Sequence, residues 1–227
     1  MTTRSTQRGM AWLGSLMVAA LMVGCATKPA PSYDYTALRA AKPASILILP
    51  PLNPTPEVTA PAGVLASATQ PLAESGYYVL PVAVTDEMFR QNGIHTAHDA
   101  QDLPVEKLRS IFGADAALYL EVQQYGTVYA VVQNDTKVEL NARLIDLRTG
   151  DKLWSGHAVA LDRQSSNAGG GVAGLLLGAV INQIVATATD RSVDVAARAN
   201  AQLLTAGQPY GLLYGPRSPK YAADSKP

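Results

Sequence analysis

Apolar and polar side chains alternate over residues 116–161, and this pattern constrains the fold more than any other feature of the chain. A period of two is typical of strands that bury one face. The alternation pauses at a turn-forming stretch, Thr149-Gly150-Asp151, and a further segment follows over residues 152–161. The pattern therefore predicts an antiparallel meander of three strands, the first of them bent at Gly126. The apolar positions behind this prediction in the first two strands are Leu118, Leu120, Val122, Val128, Ala130, Val132, Val138, Leu140, Ala142 and Leu144.

An uninterrupted apolar run at residues 45–49 lies upstream of the meander and is followed by Pro50-Pro51. Such a run is typical of a strand with both faces buried under helices. The spacing of apolar residues predicts helices over 62–75 and 104–112. The fold class that we predict is α/β. It is one sandwich domain over 45–207, in which a mixed sheet with an antiparallel meander packs against helices.

The segment between those two helices is predicted from weaker patterns. Residues 77–84 are mostly apolar and predict a second strand. Thr85 precedes two acidic residues and predicts the N-cap of a short helix. A polar connection is expected from there to Leu103.

Composition excludes several classes of protein. The chain has 227 residues, 48% of them hydrophobic, and 18 basic residues balance 18 acidic ones. A balanced charge argues against a basic nucleic-acid-binding protein. The single cysteine excludes a disulfide framework and any metal site that needs several cysteines.

The N-terminus resembles a bacterial lipoprotein signal. Arg4 and Arg8 precede an apolar run over 10–23, which is shorter than the roughly 20 residues that span a bilayer. Gly24-Cys25 follows the run as a lipobox would, which predicts a signal peptide over 1–24 and acylation of Cys25, palmitate included. Ala26, in place of an aspartate, favours the periplasmic face of the outer membrane. The alternative is a plain secretory signal with a leftover cysteine.

Two flanking segments are predicted to lie outside the domain. Residues 25–44 contain several prolines and alanines, and we expect a lipidated, semi-extended tether there. Residues 208–227 contain four prolines, and we expect a loosely ordered tail.

No catalytic, cofactor-binding or metal-binding residue is predicted. His95 and His98 could begin a metal site, but the third histidine, His157, lies on a distant predicted strand. The residues therefore favour a non-catalytic binding protein. The alternative is a membrane-tethered periplasmic hydrolase or metal-dependent enzyme.

Small residues and tyrosines mark two candidate interaction faces. Gly170, Gly174 and Gly178 recur at helical spacing near the start of a helix predicted over 172–205. Such a stripe permits close backbone approach. It leaves open packing within the fold, self-association or partner docking, and insertion into a membrane. Tyr119, Tyr125 and Tyr129 are predicted on the outer face of one strand, either as a partner surface or packed under a helix.

The lipobox, tether and strand pattern together resemble a family of bacterial outer-membrane lipoproteins of unknown function, the type known from a neisserial vaccine-candidate antigen. The stretches that carry the resemblance are residues 46–51, 104–120 and 169–185. Residues 142–154, which end at Trp154, are also similar to CsgG-like secretion lipoproteins and TolB amino-terminal domains. The resemblance implies a TolB-N/CsgG-like α/β fold and work in an envelope assembly, with a CsgG-like partner or a second copy. No nucleic-acid partner is predicted, because the charges balance, and no cofactor is predicted, because no phosphate-binding or dinucleotide-binding motif occurs in a strand-to-helix context.

Overall fold

A five-stranded mixed sheet organises the part of the chain that the computed structural model describes, which comprises residues 33–129, 134–163, 191–208 and 210–224. The strand order is β2-β1-β3-β4-β5. β1 runs parallel to both of its neighbours, whereas β3, β4 and β5 are antiparallel. The predicted mixed sheet with a meander is therefore confirmed. The strands are β1 (Ser45–Ile48), β2 (Tyr78–Val79), β3 (Ala116–Tyr129), β4 (Asn134–Asp146) and β5 (Lys152–Arg163).

Helices pack on both faces of the sheet. The helices are α1 (Thr36–Ala41), α2 (Ala60–Glu74), α3 (Val82–Gln91), α4 (Ala97–Gln101), α5 (Val105–Phe112), α6 (Arg191–Leu204) and α7 (Tyr221–Asp224). α2 and α6 pack together against one face. On the other face, Phe89 of α3, Ala100 of α4 and Leu108 of α5 pack against Leu47 and Tyr119. The predicted α/β class with packed helices is confirmed.

The alternating positions of β3 and β4 bury one face completely. Leu118, Val122, Leu140 and Leu144 each have 0% of their surface exposed. A β-bulge between Val122 and Gln124 shifts the register of β3 against β4. The irregularity thus lies just before Gly126, where the sequence predicted a bend. Because a bulge adds one residue, side chains after it change faces.

The segment between α2 and α5 differs from its prediction. Only Tyr78–Val79 is strand, and α3 begins at Val82 with Pro81 as its N-cap residue. Thr85 is not a cap but lies inside α3, where its hydroxyl donates to the Val82 carbonyl oxygen at 3.0 Å. Proline lacks the N–H that a strand ladder requires, which explains the early end of β2. The polar connection contains α4, which Thr96 caps by accepting from the Asp99 N–H.

The predicted tether is wrong for its last part, because α1 belongs to the domain. Leu38 of α1 is buried. The Tyr35 hydroxyl donates to the Gly211 carbonyl oxygen at 2.6 Å, and Arg39 Nε donates to the Asp224 carbonyl oxygen at 3.2 Å. α1 is therefore held by the C-terminal segment.

The predicted loose tail is also wrong for residues 210–224. The Tyr77 hydroxyl donates to the Leu213 carbonyl oxygen at 2.7 Å, and Trp154 Nε1 donates to the Tyr210 carbonyl oxygen at 2.9 Å. The Gly215 N–H donates to the Ser75 carbonyl oxygen at 2.9 Å. These bonds fix the tail along the domain although its sequence has no periodic pattern.

Asp115 joins the starts of β1 and β3. Its Oδ2 accepts from the Ala44 N–H, the Ser45 N–H and the Ser45 hydroxyl at 2.9, 3.0 and 2.9 Å. Burial alone would raise the pKa of Asp115. The three hydrogen bonds and the charge of Arg148 outweigh burial and lower this pKa below 3.8.

Asp115→Asn is expected to lower the free energy of unfolding by about 1–2 kcal/mol at pH 7, since it weakens charge-assisted hydrogen bonds. A carboxyl whose folded pKa is lowered stabilises the fold above its unfolded pKa and loses that contribution as the pH falls through the folded value. The difference between wild type and variant should therefore shrink below about pH 4. Urea unfolding at pH 7 and pH 3 measures this difference in the free energy of unfolding. Asp151→Asn, in an exposed turn, is the control. A difference that stays constant with pH would contradict this role.

Candidate functional surface on the sheet

The open part of the sheet carries two rows of polar side chains on the face opposite α2 and α6. In the first row Arg143 lies between Tyr119 and Ser155 on the neighbouring strands. In the second row Asn141 lies between Glu121 and His157. Positions two apart along a strand share a face, so the two rows form one surface. We call it the polar face.

One corner of the polar face is neutralised by contacts among its own residues. Glu139 accepts a hydrogen bond from His157 at 3.0 Å and lies 2.7 Å from Lys137 Nζ. The hydrogen bonds from Lys137 and His157 lower the pKa of Glu139. These three residues are therefore occupied with one another.

Next to that corner the polar face contains a hollow of about 250 Å³. Its wall is fixed by hydrogen bonds. The Leu52 N–H donates to the Leu120 carbonyl oxygen at 2.9 Å, and the Val122 N–H donates to the Leu52 carbonyl oxygen at 2.8 Å. Gln101 Nε2 donates to the carbonyl oxygens of Pro50 and Leu120 at 2.9 and 3.0 Å. The residues that line the hollow include Leu52, Gln101, Tyr119, Glu121, Asn141 and Arg143.

An arginine lies over an aromatic ring at one end of the hollow. The guanidinium carbon of Arg143 is 5.3 Å from the centre of the Tyr119 ring. Tyr119 is 8% exposed, and its burial raises the pKa of its hydroxyl, an effect that the charge of Arg143 opposes. The phenol is therefore neutral at physiological pH, and the stacked ring restrains the guanidinium.

The three histidines that were considered for a metal site do not lie together. His98 lies on α4, 3.2 Å from Asp102, whereas His157 contacts Glu139 on the sheet. His95 lies in the loop before α4. Within the described ranges, no group of three or more His, Cys, Asp or Glu side chains is placed to hold a metal ion.

Of the two interpretations left open for the tyrosines, the partner surface is wrong for the two whose side chains are described. Tyr119 packs in the cluster beneath α3–α5. Tyr125 follows the bulge and pairs with Val138, and its hydroxyl lies close to Gly63 of α2. The two therefore lie on opposite faces, and both are less than 10% exposed. The packed interpretation is the correct one for both.

The remaining predicted sites lie outside the described residues. They are Cys25, Gly170, Gly174 and Gly178. Among the helices that the structure does describe, none is long and apolar enough to cross a membrane.

The hollow itself was not predicted from the sequence. Glu121, Asn141 and Arg143 stand at polar positions of the alternating pattern, which is a usable signal for a solvent-facing row. Leu52 and Gln101, which build the wall, come from a loop and from a helix that the pattern did not indicate.

The fold and the comparisons define the class of this protein as a single-domain α/β lipoprotein. The family described as "Putative lipoprotein GNA1162-like" matches residues 33–217, and the chain belongs to this family. Its relative "Putative lipoprotein NMB1124/NMB1162" from Neisseria meningitidis serogroup B is 46% identical over 205 residues, which cover 90% of this chain and 94% of the relative. The crystal structure of lipoprotein GNA1162 from Neisseria meningitidis is 49% identical. The structural match covers 63% of this chain and 99% of the GNA1162 chain, with a TM-score of 0.52.

Proposed function

We propose that this lipoprotein is anchored through acylated Cys25 at the periplasmic face of the outer membrane and serves there as a non-catalytic component of an envelope assembly. The observation that carries the proposal is the order of segments. A lipobox-like stretch ends at Cys25, and the match to a lipoprotein family begins at residue 33. Two or three acyl chains give a stable anchor, whereas one alone is marginal.

The position of α1 limits how far the domain can extend from its anchor. Each residue contributes at most about 3.6 Å to a fully extended chain, so the stretch from Cys25 to Thr36 reaches about 40 Å at most. The domain would therefore work close to the bilayer, where it would meet other membrane-anchored components.

A binding role is supported by the polar face. Arginine and tyrosine are enriched in protein interfaces, and Arg143 stacked on Tyr119 presents a restrained charge at an open surface. By its resemblance to CsgG-like lipoproteins, we propose a partner of that kind or a second copy of this chain.

Cys25→Ser is expected to abolish lipidation and to release the chain from the membrane. Metabolic labelling with palmitate and fractionation of the envelope measure both effects. Thr27→Ser, which leaves Cys25 in place, is the control and should behave as wild type. Unchanged labelling of the Cys25→Ser variant would overturn the anchor.

The predicted glycine stripe is the proposed assembly contact. Gly174→Leu combined with Gly178→Leu should remove crosslinked complexes while the monomer stays folded, because leucine prevents close backbone approach. The matched pair of alanine substitutions should retain the complexes. Loss of thermal stability would instead indicate packing within the fold, and a stable, fully assembled variant would exclude both roles.

A further inference from the structure

We propose that the hollow on the polar face binds a small zwitterion, either a free amino acid or a short unblocked peptide. Glu121 would receive the ammonium group and Arg143 the carboxylate. This ligand site goes beyond the anchoring and assembly role proposed above.

The two charges that define the site are unpaired within the described part of the chain. Glu121 is half-buried, and its carboxylate makes no hydrogen bond or ion pair there. The guanidinium of Arg143 lies over the ring of Tyr119 and forms no ion pair with any carboxylate of the described residues. Glu121 is partly removed from water, and such a carboxylate is stabilised by a counter-charge. Arg143 is exposed, and its guanidinium can bind a carboxylate through charge-assisted hydrogen bonds. Each of the two therefore offers binding energy to a ligand group of opposite sign.

The neighbouring charges do not compete for the same ligand. Glu139 is engaged by Lys137 and His157 at 2.7 and 3.0 Å, beyond the hollow. Among the described residues, the hollow thus presents Glu121 as a free anion and Arg143 as a free cation.

The spacing of the two charges suits a molecule that carries both signs. Glu121 lies opposite Asn141, and Arg143 is two positions further along the same strand. Diagonal neighbours of this kind have Cα atoms roughly 7–8 Å apart on one face. Asn141, which is opposite Glu121 and two positions from Arg143, can both donate and accept. A guanidinium fork binds a carboxylate in a bidentate manner, so Arg143 would fix the orientation of the ligand.

Ligands of a single sign fit less well. An anion at Arg143 would approach the carboxylate of Glu121, and a cation at Glu121 would approach Arg143. A zwitterion satisfies both groups at once, and this selects the ligand class.

The volume limits the size of the ligand. Pockets for drug-sized ligands enclose roughly 300–1,000 Å³, and this hollow is smaller, at about 250 Å³. Its wall is already fixed by the hydrogen bonds of Leu52 and Gln101. A preformed wall reduces the cost of ordering the site.

Calorimetric titration of the full chain in detergent with L-alanyl-L-alanine tests the proposal. We expect saturable binding, and at least tenfold weaker binding of the N-acetylated dipeptide and of the dipeptide amide. These analogues remove the ammonium group and the carboxylate, respectively. L-alanine as a second probe decides between an amino acid and a peptide, according to which binds more tightly.

Glu121→Gln and Arg143→Gln assign the roles of the two residues. Each should weaken dipeptide binding at least tenfold. Glu121→Gln should also remove the preference over the acetylated form, and Arg143→Gln the preference over the amide. Glu139→Gln, a matched change outside the hollow, should leave the affinity within about twofold, and circular dichroism checks that every variant is folded. Absence of saturable binding of both probes, equal binding of the blocked forms, or unchanged affinity in either hollow variant would overturn the proposal.

Discussion

Trp154→Ala is expected to lower the free energy of unfolding by about 3–5 kcal/mol, the cost of removing a large buried aromatic side chain. Trp154 is 1% exposed and pairs with Leu144 on β4. Its Nε1 donates to the Tyr210 carbonyl oxygen at 2.9 Å. The variant therefore leaves a cavity in the core and also frees the tail.

Urea unfolding followed by circular dichroism measures this loss. Trp154→Phe is the matched control. Phenylalanine keeps a buried ring and lacks the N–H. Trp154→Phe should therefore lower the free energy of unfolding, but by less than Trp154→Ala does. Once the predicted signal peptide is removed, Trp154 is the only tryptophan left of the two in the chain, so its fluorescence reports the core directly in the wild type and in variants that keep it. A loss below about 1 kcal/mol in Trp154→Ala would contradict the anchoring role.

Gly156→Ala is expected to destabilise the fold by about 1–3 kcal/mol through overpacking. A Cβ at position 156 would overlap the outer ring atoms of Trp154 and would lie 2.9 Å from Cδ1 of Leu203. Both neighbours are buried, so neither can move into solvent. The same urea titration measures the effect.

A double variant separates steric overlap from a backbone effect at position 156. Phenylalanine lacks the ring atoms that a Cβ at 156 would overlap. Gly156→Ala in the Trp154→Phe background should therefore cost less than in wild type, by at least about 0.5 kcal/mol of coupling. Strict additivity would show that the ring is not the obstacle.

The meander could be predicted because alternation depends only on which face of a strand is buried. The bulge also left a signal. Gln124 is polar at an even position and Tyr125 is aromatic at an odd one, so the pattern changes phase there. The prediction assigned both sides of Gly126 to one phase, and for that reason it placed Tyr119 and Tyr125 on the same face.

The packing of α1 and the tail could not be predicted in the same way. Tyr35, Tyr77 and Trp154 each donate to a carbonyl oxygen of a residue far along the chain. Every residue type has such an oxygen, so the sequence of the tail does not indicate these contacts.

The polar row of the polar face could be predicted from the sequence, but the wall of the hollow could not. Polar positions on β3 and β4 indicated a solvent-facing row, which includes Glu121 and Arg143. The hollow also needs the wall of Leu52 and Gln101, and their approach to β3 is a long-range contact. Periodicity within one segment carries no information about such a contact.

The hydrogen bonds that join α1 to the C-terminal segment bring the entry and exit of the domain together. Arg39 lies 3.2 Å from the carbonyl oxygen of Asp224, and Tyr35 reaches Gly211. A mechanical load applied along the chain ahead of Asp34 would act on this junction before it reached any strand. A segment inserted directly after Asp224 would likewise emerge beside the point where the chain enters the domain. The same junction also makes the domain suited to circular permutation, with new ends opened at the Thr149–Gly150 turn.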